Sequence, residues 1–229
     1  MADVLGSASS ELIPYSSDSF VIANKPHGIP TVPLKGQSTD GTLLGLVAEL
    51  FPDVLSVKGR NSWECGAVHR LDTATGGLVV FARTQGMYDH LLSVQTSGRF
   101  LKTYRALTCN DGRLKGQDPV FDAEGRMEIA SYFRSYGPGS KQVRPTLDIK
   151  RANSPVLYMT LVRSLGDGAF ECTIARGFRH QIRAHLAWIG SPIIGDPLYG
   201  SAAEGEVLKL DCIKLSFPMP DGKPFSFGK

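Results

Sequence analysis

The sequence predicts an α+β protein: a largely antiparallel mixed sheet with flanking helices. Segments of strand character outnumber helical ones, and several follow one another with no helix between them, unlike alternating βαβ units. The chain also lacks a GxGxxG fingerprint, a P-loop and a GxSxG elbow, the marks of the common parallel-sheet enzymes.

Each element has its own reason. FVIANK, after Ser19, reads as a strand that breaks into the Pro/Gly-rich turn KPHGIPTVP. TLLGLVAELF (42–51) spaces Leu43, Leu46, Val47 and Leu50 as an amphipathic helix, ended by Pro52. GAVHRLDTATGGLVVFAR sets a loop between two apolar runs, the second being a strand. QGMYDHLLSVQTSG is a helix closed by Gly98, and KTYRALT is a strand. Residues 109–126 are polar and turn-rich, a surface excursion. RMEIASYFRSYG, PTLDIKRA, VLYMTLVRSL and AFECTIA alternate well enough for strands. HQIRAHLAWIG is helical, with Ile182, Leu186 and Ile189 as its buried stripe and Gly190 as its stop. LKLDCIKLSF is the last strand assigned, followed by the turn PDG.

Composition bounds the function. The chain has 229 residues, 42% of them hydrophobic, enough for a substantial core and far from a disordered composition. No apolar run approaches the roughly 18 residues of a membrane span, and MADVLGSASSELIPY has no signal-peptide pattern, so a cytoplasmic address is expected. Cys65, Cys109, Cys172 and Cys212 are scattered without a CxxC pair, which argues against zinc, redox or disulfide roles. A net charge of +3 says little about nucleic acid; the local distribution of charge says more. The first 18 residues, Ser-rich at the start, are expected to be flexible, leaving 19–229 as the folded domain.

Four segments could carry chemistry. HRLDTATGG (69–77) packs His69, Arg70 and Asp72 into a short loop, with glycines that let backbone approach a ligand. Its simpler reading is a turn in which Asp72 satisfies nearby amides. RGFRHQIRAHL (176–186) lies in a stretch from Cys172 to Gly195 that has no acidic residue but holds Arg176, Arg179, Arg183, His180 and His185. Arg179 and Arg183, four apart, should share a helix face near an N-terminus that favours anions; a solvated basic face is the alternative. His180 and His185 are five apart, poor spacing for a metal on a helix, so no metal site is expected. KTYRAL puts Tyr104 on the strand face of Lys102 and Ala106, opposite Thr103 and Arg105. NKPHGIPTVP reads as scaffold, His27 included.

In this order the segments resemble the RluA-type family of RNA pseudouridine synthases, over about residues 19–224. NKPHGIPTVP looks like the family's first motif, and HRLDTATGGLVVFAR is similar to the second, built on an aspartate within His-Arg-Leu-Asp. KTYRAL resembles the strand with the active-site tyrosine. RHQIRAHLAWIGSPIIGDPLYG is similar to the third motif, and LKLDCIKLSFPMP to the closing strand with its apolar active-site residue, here Leu210. The chain departs at Gly76, where serine is usual, at Arg176 and Phe178, where threonine and arginine are, and at Asp211, where histidine is common. The family's frequent N-terminal RNA-binding domain is not expected.

The resemblance implies a pseudouridine-synthase-like catalytic domain, with Asp72, Tyr104 and Arg183 catalytic and no cofactor or metal. Asp72 would act at the ribose of a flipped-out uridine, as nucleophile at the anomeric carbon or as base at the neighbouring one; the sequence does not choose. Arg183 would pair with Asp72 and keep it ionised, and Tyr104 would lie against the detached uracil. Arg70 would enter the vacated space. His69, Arg176, Arg179, His180, Gln181, Ile182 and Leu210 would complete the RNA site, with Arg134, Lys141, Arg144, Lys150 and Arg151 as further backbone contacts. The partner is ribosomal or transfer RNA and the chain a monomer. A non-catalytic RNA-binding protein, a hydrolase pairing Asp72 with Asp196 or Asp211, and a purely structural α+β domain are the rival readings.

Overall fold

The computed structural model describes residues 11–109, 116, 118–200, 202–203 and 205–228. Residues 1–10 of the N-terminal segment expected to be flexible, and most of 110–117 in the polar excursion, lie outside these. The chain divides into two compact units: one up to Phe100 and again from Cys212, the other Leu101–Asp211. Both are α+β.

In the first unit, strands run in the order β1 (Tyr15–Ser16), β2 (Phe20–Lys25), β3 (Gly76–Ala82) and β9 (Leu210–Pro218, whose first two residues belong to the second unit); β10 (Pro224–Gly228) pairs with β9. β2 and β3 are antiparallel, from Phe20 opposite Ala82 to Lys25 opposite Gly77. All of β3 is buried, which explains why GLVVFA reads as a continuous apolar run rather than an alternating one. Helix α1 (Leu43–Leu50) starts at Thr42, whose hydroxyl accepts from Gly45 N, and a 3₁₀ turn from Pro52 follows it. Helix α2 (Gln85–Thr96) is capped by Thr84 and closed at Gly98, with φ +73°. Ala67 forms only an isolated bridge to Phe81, so the run before the HRLD loop is no full strand.

β10 was not foreseen from the sequence. PFSFG is short, with its polar positions exposed, and is held through rings: Phe225 packs on Phe217 at 4.9 Å and on Phe20 at 5.3 Å between centroids. Tyr15 stacks on Phe20, so β1 joins the same cluster.

The second unit is a sheet in the order β4 (Leu101–Leu107), β8 (Ala169–Ile174), β7 (Tyr158–Gly166), β5 (Arg126–Tyr136) and β6 (Gln142–Thr146), with antiparallel pairings. The strand expected over PTLDIKRA needs correction: β6 ends at Thr146, and Ile149–Arg151 form a 3₁₀ turn capped by the Asp148 side chain. β6 contains Pro145, tolerated because an edge strand need not donate every N–H.

Helix α3 (Gln181–Trp188) is not the one-sided helix its spacing suggests: every residue from Gln181 to Ala187 is buried. Its polar groups are paired instead of solvated. His185 lies between Thr160 Oγ1, 2.8 Å from Nδ1, and Ser131 Oγ, 2.9 Å from Nε2. Burial pushes its pKa down to about 3, so the imidazole is neutral.

Candidate active site

Asp72 stands in a loop that hydrogen bonds hold on both sides. Thr75 N donates to the main-chain carbonyl of Asp72 at 3.0 Å, closing a turn. Before Asp72, the Thr31 hydroxyl donates to Leu71 O and accepts from Leu71 N, each at 3.0 Å. After it, Gly28 N donates to Thr73 O at 2.9 Å, and the His27 ring meets Ala74 O at 2.7 Å. Lys25, 1% exposed, directs its ammonium at three carbonyls: Pro26, Ile29 and Thr73, at 2.9, 2.7 and 3.0 Å. A buried cation is costly unless saturated by such acceptors, so it ties KPHGIPT to the aspartate loop. The scaffold reading of NKPHGIPTVP stands, and its reason is visible: the segment sets the backbone on either side of Asp72.

His69 is buried, and its Nε2 accepts from Val80 N at 3.3 Å, so it fastens the loop to β3. In the neutral ring the proton then sits on Nδ1. Arg70 is 59% exposed and pairs with Glu64 at 2.8 Å. At the loop's other end Gly77 has φ +105°, and a Cβ there would stand 2.2 Å from Cys212 O. Only glycine fits.

The remaining expected site residues belong to the second unit. Tyr104, 6% exposed, sits on β4 with Lys102 and Ala106 on the buried face and Arg105 exposed, as the alternation predicted. Leu210 is 3% exposed at the start of β9. Arg183 is 4% exposed, and its guanidinium forks onto Asp196, which is fully buried: Nε to Oδ2 and Nη2 to Oδ1, both 2.8 Å. Oδ1 also accepts from Leu198 N and Tyr199 N. The Arg183 guanidinium carbon lies 5.3 Å from the Tyr199 ring centroid. The sequence alone presents Asp196 only as a weak second carboxylate. Asp196 is a structural counter-ion, its oxygens committed to holding Arg183 and the turn that follows.

One correction concerns the RGFRHQIR segment. Arg179 and Arg183 do not share a helix face, because α3 begins at Gln181 after His180, which adopts φ +55°. Arg179 donates instead to Ser140 O and Gln142 O. His180 Nδ1 lies 3.1 Å from the Tyr199 hydroxyl. Gln181 uses its amide internally, donating to Met159 O and Thr160 Oγ1 while its oxygen accepts from Phe178 N. Ile182 is buried, and Arg176 is exposed. Phe178, a departure from the family pattern, stacks on Phe133 at 4.9 Å between centroids and packs with Tyr158. The segment therefore spends an aromatic side chain on packing where the pattern has an arginine.

Among the described residues, no three His, Cys, Asp or Glu side chains are grouped to hold a metal ion, and no helix is long and apolar enough to cross a membrane.

Comparison with known proteins supplies the family. Residues 19–188, about three quarters of the chain, match the model of the RNA pseudouridylate synthase family. The chain is 28% identical over 236 residues to ribosomal large subunit pseudouridine synthase D of Neisseria meningitidis, covering 94% of this chain and 56% of that one. It is 33% identical over 189 residues to the protein of the same name from Nitrosomonas europaea, covering 81% and 48%. The chain thus spans about half the length of the curated relatives it matches. In fold it is similar to human RNA pseudouridylate synthase domain containing 1, with TM-score 0.65, 20% identity, and 94% and 81% of the two chains covered. The HRLD loop, the tyrosine strand and the buried arginine helix fall within the matched residues, and this chain belongs to the RNA pseudouridylate synthase family.

Proposed function

We propose that this chain converts uridines in RNA to pseudouridine, with Asp72 as the catalytic carboxylate. The observation that carries the reading is the clamped Asp72 loop, in which Lys25, Gly28 and Thr31 fix the backbone on both sides of a half-buried carboxylate. Such rigidity suits a group that must meet one ribose carbon in a narrow range of geometries.

The reaction breaks the bond from the anomeric carbon to the uracil nitrogen, turns the base, and rejoins it through carbon. A proton leaves that carbon and the ring nitrogen regains one. Asp72 acts at the sugar, as nucleophile or as base at the adjacent ribose carbon. Tyr104 lies against the loosened uracil and takes the carbon-bound proton, directly or through water. Arg183, oriented by Asp196, keeps Asp72 ionised. In this reading residues 19–229 are the catalytic domain. Arg70, exposed at the loop, fills the gap left by the flipped nucleotide. His69 and Gln181, engaged by backbone groups, position their loops and do not select bases.

The substrate class is ribosomal RNA, in line with what the N. meningitidis and N. europaea relatives are named for. Transfer RNA is the alternative. The chain works as a cytoplasmic monomer without metal or cofactor. The hydrolase reading loses one of its two candidate second carboxylates, Asp196, which is buried against Arg183.

Asp72→Asn keeps the side-chain shape and removes the ionised oxygen. Tritium release from uracil-labelled RNA should vanish while RNA affinity stays within a few-fold. Turnover by this variant overturns the assignment; parallel loss of binding and turnover makes Asp72 structural.

A further inference from the structure

Away from the catalytic motifs, the β5–β6 hairpin carries a charge arrangement that its own folding does not require. Arg134 and Arg144 stand directly opposite each other across the two strands. Tyr136 lies diagonal to Arg144, whose guanidinium carbon is 3.6 Å from the ring centroid; that of Arg134 is at 5.7 Å. Among the described residues neither arginine has a carboxylate within ion-pair distance. Like charges in direct cross-strand register oppose folding.

Other contacts hold the hairpin. On its inner face Phe133 and Val143 are buried with Ala184 of α3. At its tip, Gln142 Nε2 donates to Leu198 O and Val143 N to the Tyr199 hydroxyl. Because strand side chains alternate, the Arg134–Tyr136–Arg144 face looks away from α3. Tyr136 is 38% exposed. Exposed Lys141 extends the positive surface.

Two unneutralised guanidinium groups beside an exposed ring match one ligand chemistry: a phosphodiester between the arginines and a base face stacked on the arginine–tyrosine plane. A base is available for such stacking only where the strand is unpaired. We propose that this hairpin face is a second RNA contact, for single-stranded RNA flanking the modified uridine. The proposal rests on the RNA-modifying reading above. It adds a surface on the side of the sheet opposite α3, which governs affinity and not the chemical step.

The test is a salt titration of binding to a fluorescein-labelled single-stranded oligouridylate. Arg134→Ala/Arg144→Ala should lower the log–log slope by about 0.7, the share of the one phosphate held between the two arginines. Arg134→Lys/Arg144→Lys should restore most of the slope, which excludes misfolding as its cause. Tyr136→Leu should weaken binding roughly five- to hundred-fold with the slope unchanged, as loss of one stacked base requires. Arg163→Ala, at a guanidinium already paired with Glu171, should leave the slope as it was. With RNA substrate, the double alanine variant should raise KM and keep kcat. A slope unchanged in that variant overturns the proposal, as does loss of binding only to phosphatidylserine vesicles or to polyglutamate. Binding needs no turnover, so the two readings fail separately. A slope change without tritium release from the wild type refutes the activity, and normal turnover with an unchanged slope refutes this surface.

Discussion

Lowering the pH from 7.5 to 5 should destabilise the second unit by about 2 kcal/mol through His185 alone. The imidazole is buried under α3 between Thr160 and Ser131, and desolvation pushes its pKa from 6.5 to about 3. The folded state therefore binds a proton less readily than the unfolded one. Stability from this group is complete above pH 6.5, falls as pH drops below 6.5, and stops falling near pH 3, where the native ring also charges. A gap of three to four pH units at 1.36 kcal/mol each sets the limit at about 5 kcal/mol. At pH 5 the unfolded chain has gained about 1.5 units of that advantage, which is about 2 kcal/mol. Urea unfolding checks this. With Trp63→Phe, the remaining indole is Trp188, three residues beyond His185 on α3. The midpoint should move by roughly 1 M between the two pH values. His185→Gln should be weaker throughout, because Thr160 and Ser131 lose well-placed partners, but its midpoint should depend less on pH. The other four histidines are common to both proteins and cancel in the comparison. Equal pH dependence in wild type and His185→Gln would refute the argument that the buried ring is held neutral.

Three further outcomes follow from the site. Asp196→Asn removes the buried carboxylate that forks with the Arg183 guanidinium, and should cost about 3–5 kcal/mol with loss of turnover, measured by urea unfolding beside tritium release. Thr31→Val is nearly isosteric but strips the Leu71 N–H and C=O of their partner; it should cost about 1–3 kcal/mol and lower kcat, while RNA affinity stays within a few-fold. Treatment with a chelator should leave tritium release unchanged, and activity restored by one added metal ion would contradict the carboxylate chemistry.

What the sequence made legible follows from how far each physical signal reaches. Strand alternation is local, so Tyr104 could be placed on the face of Lys102 and Ala106 from six letters. The helices over 43–50 and 85–96 showed themselves by caps and spacing for the same reason. Helix α3 exposes the limit of this reasoning. Its period predicted one buried stripe, but a helix whose polar side chains all find internal partners can be buried all round. Those partners, Asp196 for Arg183 and Ser131 and Thr160 for His185, lie 13 to 54 residues away, where no periodicity reaches. The β10 strand was missed likewise: its stabilisation comes from Phe20 and Phe217, not from its own five residues.

The Asp72 loop shows a different limit. Its clamp works mainly through backbone carbonyls, and every residue supplies one, so the acceptors left no mark on the sequence. Only the donors did, as Lys25, Gly28 and Thr31 in a turn that otherwise reads as plain scaffold. That asymmetry explains why Asp72 was easier to find than the groups that hold its loop. A carboxylate in a short loop invites notice, whereas a lysine saturated by three carbonyls resembles any surface lysine until its burial is known. The consequence is testable at Lys25. Lys25→Met keeps most of the side-chain volume but leaves the carbonyls of Pro26, Ile29 and Thr73 without their charged donor. Hydrogen bonds to a charged group contribute about 1.5–3 kcal/mol each, and partial solvation of the loop should recover some of this. The substitution should therefore lower kcat by more than it lowers the melting temperature would suggest, since the loop loosens before the unit unfolds. Normal kcat in a folded Lys25→Met protein would show that Asp72 does not depend on this clamp for its position.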